Sequence, residues 1–431
     1  DSIDFITVLG DVLSIGTPSD DSVTTAKIQD GAITSAKLAE GAGSLSWQSV
    51  QTTGFTAVAG NAYPCDTTSS AFTITLPASA SVGNQIQIVD YAGTFATNNI
   101  TLTSSLNIEG ATSDKILTTN REGVTITYVD ATQGWVASSG VNSGDQALDP
   151  PPYSVDFLVV AGGGGGGASG SGGGGGGGGG YRTSTQTVNI GTVITVTVGD
   201  GGSSISDTNA TSNSGSDSSI SGSGLTTITS AGGGGGGTNI TTGKNGGSGG
   251  GGAGLTSRET GGSGNTPSTS PSQGNNGGTA TSNNGYNGAG GGGASAVGTV
   301  NVGTSGGVSG NGGNGTASSI TGSSVTYAGG ASGSGYNGTL GSSGTGGGGA
   351  GGLNSPSTAA TSGTANLGGG GGGSRNDTGG GGASGAGGKG VVILSMPDAS
   401  YSGTTTGSPT VATGVSGNTV LTFTGTGSYT T

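Results

Sequence analysis

The chain has 431 residues, of which 106 are glycine, while aromatic residues make up 4% and charged residues 7%. So little apolar bulk excludes one ordinary hydrophobic core running through the whole molecule and leaves backbone contacts to organise much of it. The formal net charge is −13, with acidic side chains concentrated before residue 157, which argues against a surface that grips the phosphates of nucleic acid.

In chain order, the first feature is a ten-residue repeat, "VTTAKIQDGA" from Val23 and "ITSAKLAEGA" from Ile33. Each copy is too short to bury its own apolar positions, so it is expected to associate with copies in other chains. The repeat resembles modules of bacteriophage tail fibres, whose shafts are homotrimeric. That resemblance implies an attachment and shaft segment over residues 1–43, a homotrimer, and contact with other virion tail proteins through the N-terminal region.

Residues 44–141 change character, with runs such as "AFTITLPA", "NQIQIVDYA", "NNITLTSS" and "GVTITYVDA". Period-two alternation bounded by Gly, Asn, Pro and Ser predicts half-buried strands, here read as a small antiparallel β domain. Trp47 and Trp135, near its two ends, are expected to pack its core. The stretch looks like a β domain of phage fibre and appendage proteins, where it is structural. Residues 142–152, which include Pro150, Pro151 and Pro152, read as a linker.

From residue 153 to 397 the chain is dominated by glycine runs, including Gly162–Gly167, Gly172–Gly180, Gly232–Gly237 and Gly368–Gly373. Glycine loses more backbone entropy on ordering than any other residue, so a run stays disordered unless each residue gains backbone contacts. A flexible Gly/Ser spacer is the competing reading, but it leaves the flanks unexplained. "SVDFLVVAG" leads in, "GKGVVILSMP" leads out, and "TQTVNIGTVITVTVGDGG" over residues 185–202 reads as a hairpin-like strand pair. A polyproline II-type helix has three residues per turn and a rise of ~3.1 Å, which makes the nine-glycine run about 28 Å long. With no side chain on any of its three faces, such a rod can be surrounded by others through lateral hydrogen bonds.

The string "VDFLVVAGGGGGG…VITVTVGDGG…ITSAGGGGGG…GGKGVVILSMP" is similar to the glycine-rich domains of phage fibre and tail-tip proteins. In the T-even-type adhesins that fold is a sandwich of polyglycine II helices whose loops recognise the host surface. The resemblance implies a mainly β protein with little helix, ending in a polyglycine II helix sandwich flanked by β-strands. One departure is that the shaft-like repeat and the glycine domain share a polypeptide here. The tail, residues 398–431, holds "TVLTFTGTGSYTT", which is expected to return as a strand beside "VDFLVV" and pack on the glycine-rich domain.

There is no histidine, and Cys65 is the one cysteine, so the usual Ser/His/Asp, Cys/His and His-ligated metal arrangements and an intrachain disulfide framework are unavailable. Phosphate-loop look-alikes such as "GAGGKG" put glycine where Ser or Thr would hold magnesium, so they are chance products of glycine content. No catalytic residue, metal or cofactor is expected, and the protein does not read as an enzyme. No run approaches the ~20 apolar residues of a membrane helix and no signal-peptide pattern opens the chain, so membrane insertion is not expected. An extracellular virion component fits these features.

Recognition is the function left, and loops on a rigid scaffold are where it belongs. "GYNG" occurs at residues 285–288 and again at 335–338, giving Tyr286, Asn287, Tyr336 and Asn337 as candidate receptor-binding residues, with Tyr327, Arg258 and Arg375 as further large loop side chains. The expected partner is a host cell-surface protein or glycan. A purely structural fibre or decoration protein is the first rival. An ice-binding polyglycine protein is the second, and it would need a flat, regular Thr or Ala face.

Overall fold

A computed structural model describes residues 45–140, 151–255, 257–281, 286–302, 306–376 and 382–431. The ten-residue repeat, with the shaft segment it belongs to, and nearly all of the expected linker lie outside the described residues. The protein is mainly β: among the described residues the only helical element is one 3-10 turn, Asp398–Ser400. It divides into two compact units, Asp1–Pro151 and Pro152–Thr431.

The described part of the first unit has nine strands: β1 Ser46–Trp47, β2 Phe55–Thr56, β3 Asn61–Cys65, β4 Phe72–Thr75, β5 Gln85–Asp90, β6 Ile100–Thr103, β7 Lys115–Leu117, β8 Gly123–Asp130 and β9 Gly134–Gly140. The four alternating runs singled out in the sequence form β4, β5, β6 and β8. They belong to two sheets, β1-β3-β5-β8-β9 and β2-β4-β6-β7. The antiparallel expectation is corrected here. Successive strands from β1 to β6 go to opposite sheets, so neighbours within a sheet run the same way, and β1–β3, β3–β5, β2–β4 and β4–β6 are parallel. Only β5–β8, β8–β9 and β6–β7 are antiparallel. Alternate residues of both sheets meet in a core that includes Ile74, Ile86, Ile88, Phe95, Leu102, Ile126 and Trp135.

The two tryptophans differ. Trp135 is fully buried and packs edge-on against Tyr128 at 5.7 Å. Trp47, expected in the core, is 60% exposed instead. It lies on β1, a two-residue edge strand paired on one side only, where neither residue faces the core. Burial first, then the nearby Asp90 carboxylate, pushes the Cys65 thiol up to about 12.

The second unit contains β10 Tyr153–Val160, β11 Ala168–Ser169, β12 Tyr181–Val188, β13 Val193–Thr197, β14 Ser218–Ser221, β15 Ile228–Ser230, β16 Thr316–Ser318, β17 Val325–Tyr327, β18 Ser374–Arg375, β19 Val391–Pro397, β20 Thr405–Thr406, β21 Thr410–Val415, β22 Asn418–Phe423 and β23 Gly427–Thr430. Two five-stranded antiparallel sheets, β12-β10-β19-β22-β21 and β15-β14-β13-β23-β20, enclose a core of Val155, Phe157, Val159, Ile194, Val196, Leu394, Leu421, Phe423 and Tyr429 among others. The other face of the first sheet carries Leu158, Val160, Val391, Ile393 and Val420, which meet Tyr327 and Ala328. Burial on both faces explains why "FLVV" and "VVIL" are continuous apolar runs rather than alternating ones.

Two expectations are corrected in this unit. Residues 185–197 are not a hairpin: β12 pairs with β10 while β13 pairs with β14 and β23, so the short connection crosses between sheets. The tail does not lie beside "VDFLVV" either, because β19 takes that edge of β10. From the tail, β22 pairs with β19, and β23 joins the other sheet between β13 and β20.

Between the strands, the glycine runs pack by backbone alone. The N–H groups of Gly173, Gly176 and Gly179 donate to the carbonyls of Ser374, Gly371 and Gly368; those of Gly174, Gly177 and Gly180 to Gly237, Gly234 and Ala231; those of Gly175 and Gly178 to Ala289 and Gly292. Carbonyls of the same segment accept from Ala161, Gly164 and Gly167, from Ser248 and Gly251, and from Ala331 and Ser334, all at 2.8 to 3.1 Å. Every third residue therefore addresses the same neighbour, and six neighbours surround the segment. Gly162–Gly167 repeats the pattern, donating by pairs to residues 216 and 213, 388 and 385, and 177 and 174.

The lattice also explains the polar residues between the runs. Side chains of adjacent segments supply further acceptors: Oδ1 of Asn311 and of Asn314 accept from the amides of Ser342 and Thr345, Asn276 Oδ1 from Gly264, and Thr361 Oγ1 from Ala350. These backbone donors are thus satisfied by side chains.

Candidate binding surface

Gly162–Gly167 leads away from β10, and the loops at its far end gather the candidate residues. Arg375 emerges directly from the Gly368–Gly373 run and is fixed by the parallel pairing of β18 with β11, which sets Ser169 opposite Arg375. Asn239 Oδ1 locks that corner by accepting from Ser169 Oγ at 2.8 Å and from the Gly170 amide at 3.1 Å. Arg375 is 5% exposed.

The two "GYNG" tyrosines meet over this arginine. The Tyr286 and Tyr336 ring centroids are 5.3 Å apart with the planes tilted by 37°, and the Arg375 guanidinium carbon lies 5.1 Å from the first centroid and 4.5 Å from the second. Such distances place a cation against two aromatic quadrupoles, a contact worth about 0.5–2 kcal/mol per ring depending on desolvation. Arg375 Nη1 also donates to the Tyr286 carbonyl at 3.1 Å. Both tyrosine residues are half-buried.

Beneath them the buried Asn287 joins the loops. Its Oδ1 accepts from the Tyr336 amide at 3.4 Å and its carbonyl accepts from Asn301 Nδ2 at 2.9 Å, while Asn301 Oδ1 accepts from the Thr281 amide at 2.7 Å. The Tyr336 loop is further tied by the Ser355 amide, which donates to the Tyr336 carbonyl at 2.8 Å. Asn337 is exposed beside Tyr336.

The remaining candidates separate from this group. Tyr327 is no loop residue: it ends β17, is 4% exposed and packs under the first sheet, with burial and then Tyr181 pushing its hydroxyl above the ordinary tyrosine range. Arg258 is half-buried in its own turn, where its amide donates to the Leu255 carbonyl and its Nη1 to the Ser257 carbonyl. Asn239 and Asn301 were not singled out from the sequence. Their only signal there is an asparagine at the end of a glycine-lattice segment, a feature too common in this chain to select them.

Among the described residues no group of three or more His, Cys, Asp or Glu side chains is gathered to hold a metal ion, and no helix is long and apolar enough to cross a membrane. Residues 141–397, more than half of the chain, match the family model described as a glycine-rich domain, and the chain belongs to that family. No curated protein matches it.

Proposed function

We propose that the protein is a bacteriophage tail-fibre or appendage protein, a homotrimer on the virion that attaches to host cells through loops of its glycine-rich unit. The carrying observation is that two copies of one tetrapeptide, fifty residues apart, bring their tyrosines together over Arg375 at one end of the glycine segments. Membership of the glycine-rich family and the likeness of the Val23 and Ile33 repeats to fibre shafts support the virion context. The three-residue period of the backbone bonds between segments supports reading the segments as polyglycine II rods, a rigid mount for loops. Three copies on one shaft would add avidity to weak single contacts.

Threonines of the outer segments do not require an ice surface: Thr358 Oγ1 and Thr361 Oγ1 already accept from the Leu353 and Ala350 amides. The test is binding of the fluorescently labelled full-length protein to a panel of bacterial strains, with light scattering for its mass. Retention on some strains, lost on replacing Tyr286 and Tyr336 together by Ala while the melting temperature holds, supports adhesion. No retention on any strain, or retention unchanged in the double variant, favours the purely structural fibre.

A further inference from the structure

Resting on the homotrimer of that reading, we infer that copies of this chain meet through the outer face of the first unit's five-stranded sheet, with Trp47 packed into the contact. The core decides which residues face outward. Tyr63, Cys65, Ile86, Ile88, Val124 and Ile126 all belong to it, so the residues that alternate with them along β3, β5 and β8 point away from it. One outward row runs Trp47, Ala62, Gln87 and Thr125 across β1, β3, β5 and β8. Beside it Pro64 pairs with Val89, and Gln85 pairs with Thr127, donating from Nε2 to Thr127 Oγ1 at 3.3 Å.

None of these outward residues is charged, and Trp47 among them is 60% exposed. Loss of charge around a large aromatic side chain is the composition of an interface centre, whereas a face turned to water carries polar and charged residues. Residues 45–140 hold six acidic and two basic side chains, and none of the eight lies in these rows. A neutral face on an acidic body suits a partner of the same net charge, because like charges stay apart when two such faces meet. A basic partner would be drawn to the acidic remainder instead. Another copy of this chain has the required charge.

The chain that leads into the sheet points to the same partner. The second ten-residue repeat, expected to associate with copies in other chains, closes at Ala42, and β1 begins at Ser46. Four residues span at most about 14 Å, so copies joined at the repeat bring their β1 strands near one another. Strand β1 is the edge of the sheet, with Trp47 in its outward row. Three such faces turned toward one threefold axis give a closed assembly.

The experiment treats full-length cysteine variants with a short bismaleimide and measures their mass by light scattering. Cys65 is buried and stays as it is. Gln87→Cys and Thr125→Cys lie in the outward rows, and Thr73→Cys, exposed on β4 of the other sheet, is the control. Cross-linked chains are expected at position 87 or 125 at a yield at least tenfold that at position 73, and Trp47→Glu should lower that yield at least threefold. Melting temperatures equal to that of the unaltered chain establish that each variant folds. If the mass is that of a trimer but neither 87 nor 125 cross-links above the control, the inference is overturned and the homotrimer stands. If 87 or 125 cross-links in a dimer, the face is upheld and the trimer falls. If the mass is that of a monomer, both readings fall.

Discussion

A methyl carbon placed on Gly174 would lie 2.0 Å from the Gly251 carbonyl oxygen, and one on Gly176 would lie 2.1 Å from that of Gly164. Both obstacles are backbone atoms of neighbouring segments, which cannot swing aside as a side chain would. Glycine is required here by crowding rather than by conformation. Gly174→Ala is expected to destabilise the second unit by about 3 kcal/mol or more, the upper range for overpacking, as read from chemical denaturation. Gly425 is the control, since nothing lies within 4 Å of an added carbon there, and Gly425→Ala should change stability by less than about 1 kcal/mol. Equal effects at the two positions would mean that the lattice is not close-packed.

Cys65 gives a second prediction at this scale. Its thiol is pushed up from 9.0 to about 12 by burial and by Asp90. A folded-state value above the unfolded one means that the unfolded chain ionises first, so stability is intact below pH 9 and is lost as the pH rises toward 12. The melting temperature of the first unit should therefore fall between pH 9 and 11, and the slope should be shallower in Cys65→Ala. An iodoacetamide-reactive thiol in the native protein at pH 8 would contradict the burial on which this rests.

At the scale of elements, the glycine segments invert the usual relation between sequence and order. Gly172–Gly180 has the composition of a tether, yet every residue in it is buried, and the amides from Gly173 to Gly180 all donate to backbone carbonyls in other segments. Hydrogen exchange across this run is expected to be slow, approaching the rate set by global unfolding of the unit, whereas the exposed residues 410–414 of the edge strand β21 should exchange far faster. Rapid exchange through the glycine run would restore the spacer reading.

Element existence was legible because glycine recurs in runs bounded by strand-like sequence. Partner choice was not, because a residue with no side chain carries no pairing information. For the same reason the strands β4, β5, β6 and β8 could be read from alternation, but not their parallel pairing, which arises only when the chain alternates between two sheets. At the candidate surface the repeated "GYNG" marked Tyr286 and Tyr336. Nothing local marked Arg375 as the residue between them, or Tyr327 as a core residue, since both assignments depend on contacts across scores of residues.

At the scale of the whole molecule, the family match ends at residue 397, yet neither sheet of the second unit is complete there. Strand β22 covers the edge of β19 along Val392–Pro397 and contributes Val420, Leu421 and Phe423, while β23 sits between β13 and β20 and contributes Tyr429. Tyr429 is fully buried, and its hydroxyl lies 3.1 Å from that of Tyr153 at the start of β10. At about 1.5–3 kcal/mol for each large side chain buried, these four residues contribute roughly 6–12 kcal/mol, comparable with the whole stability of a typical domain. The glycine lattice is joined in the chain to the sheet that would lose β22: Ala161 follows β10, and Gly390 precedes β19. A chain ending at Pro397 is therefore expected to lose the fold of its second unit, seen as loss of near-ultraviolet dichroism and rapid proteolysis after residue 152, while the first unit keeps its own transition. A truncated chain that retained slow exchange across Gly172–Gly180 would show instead that the lattice stands without the sheets that frame it.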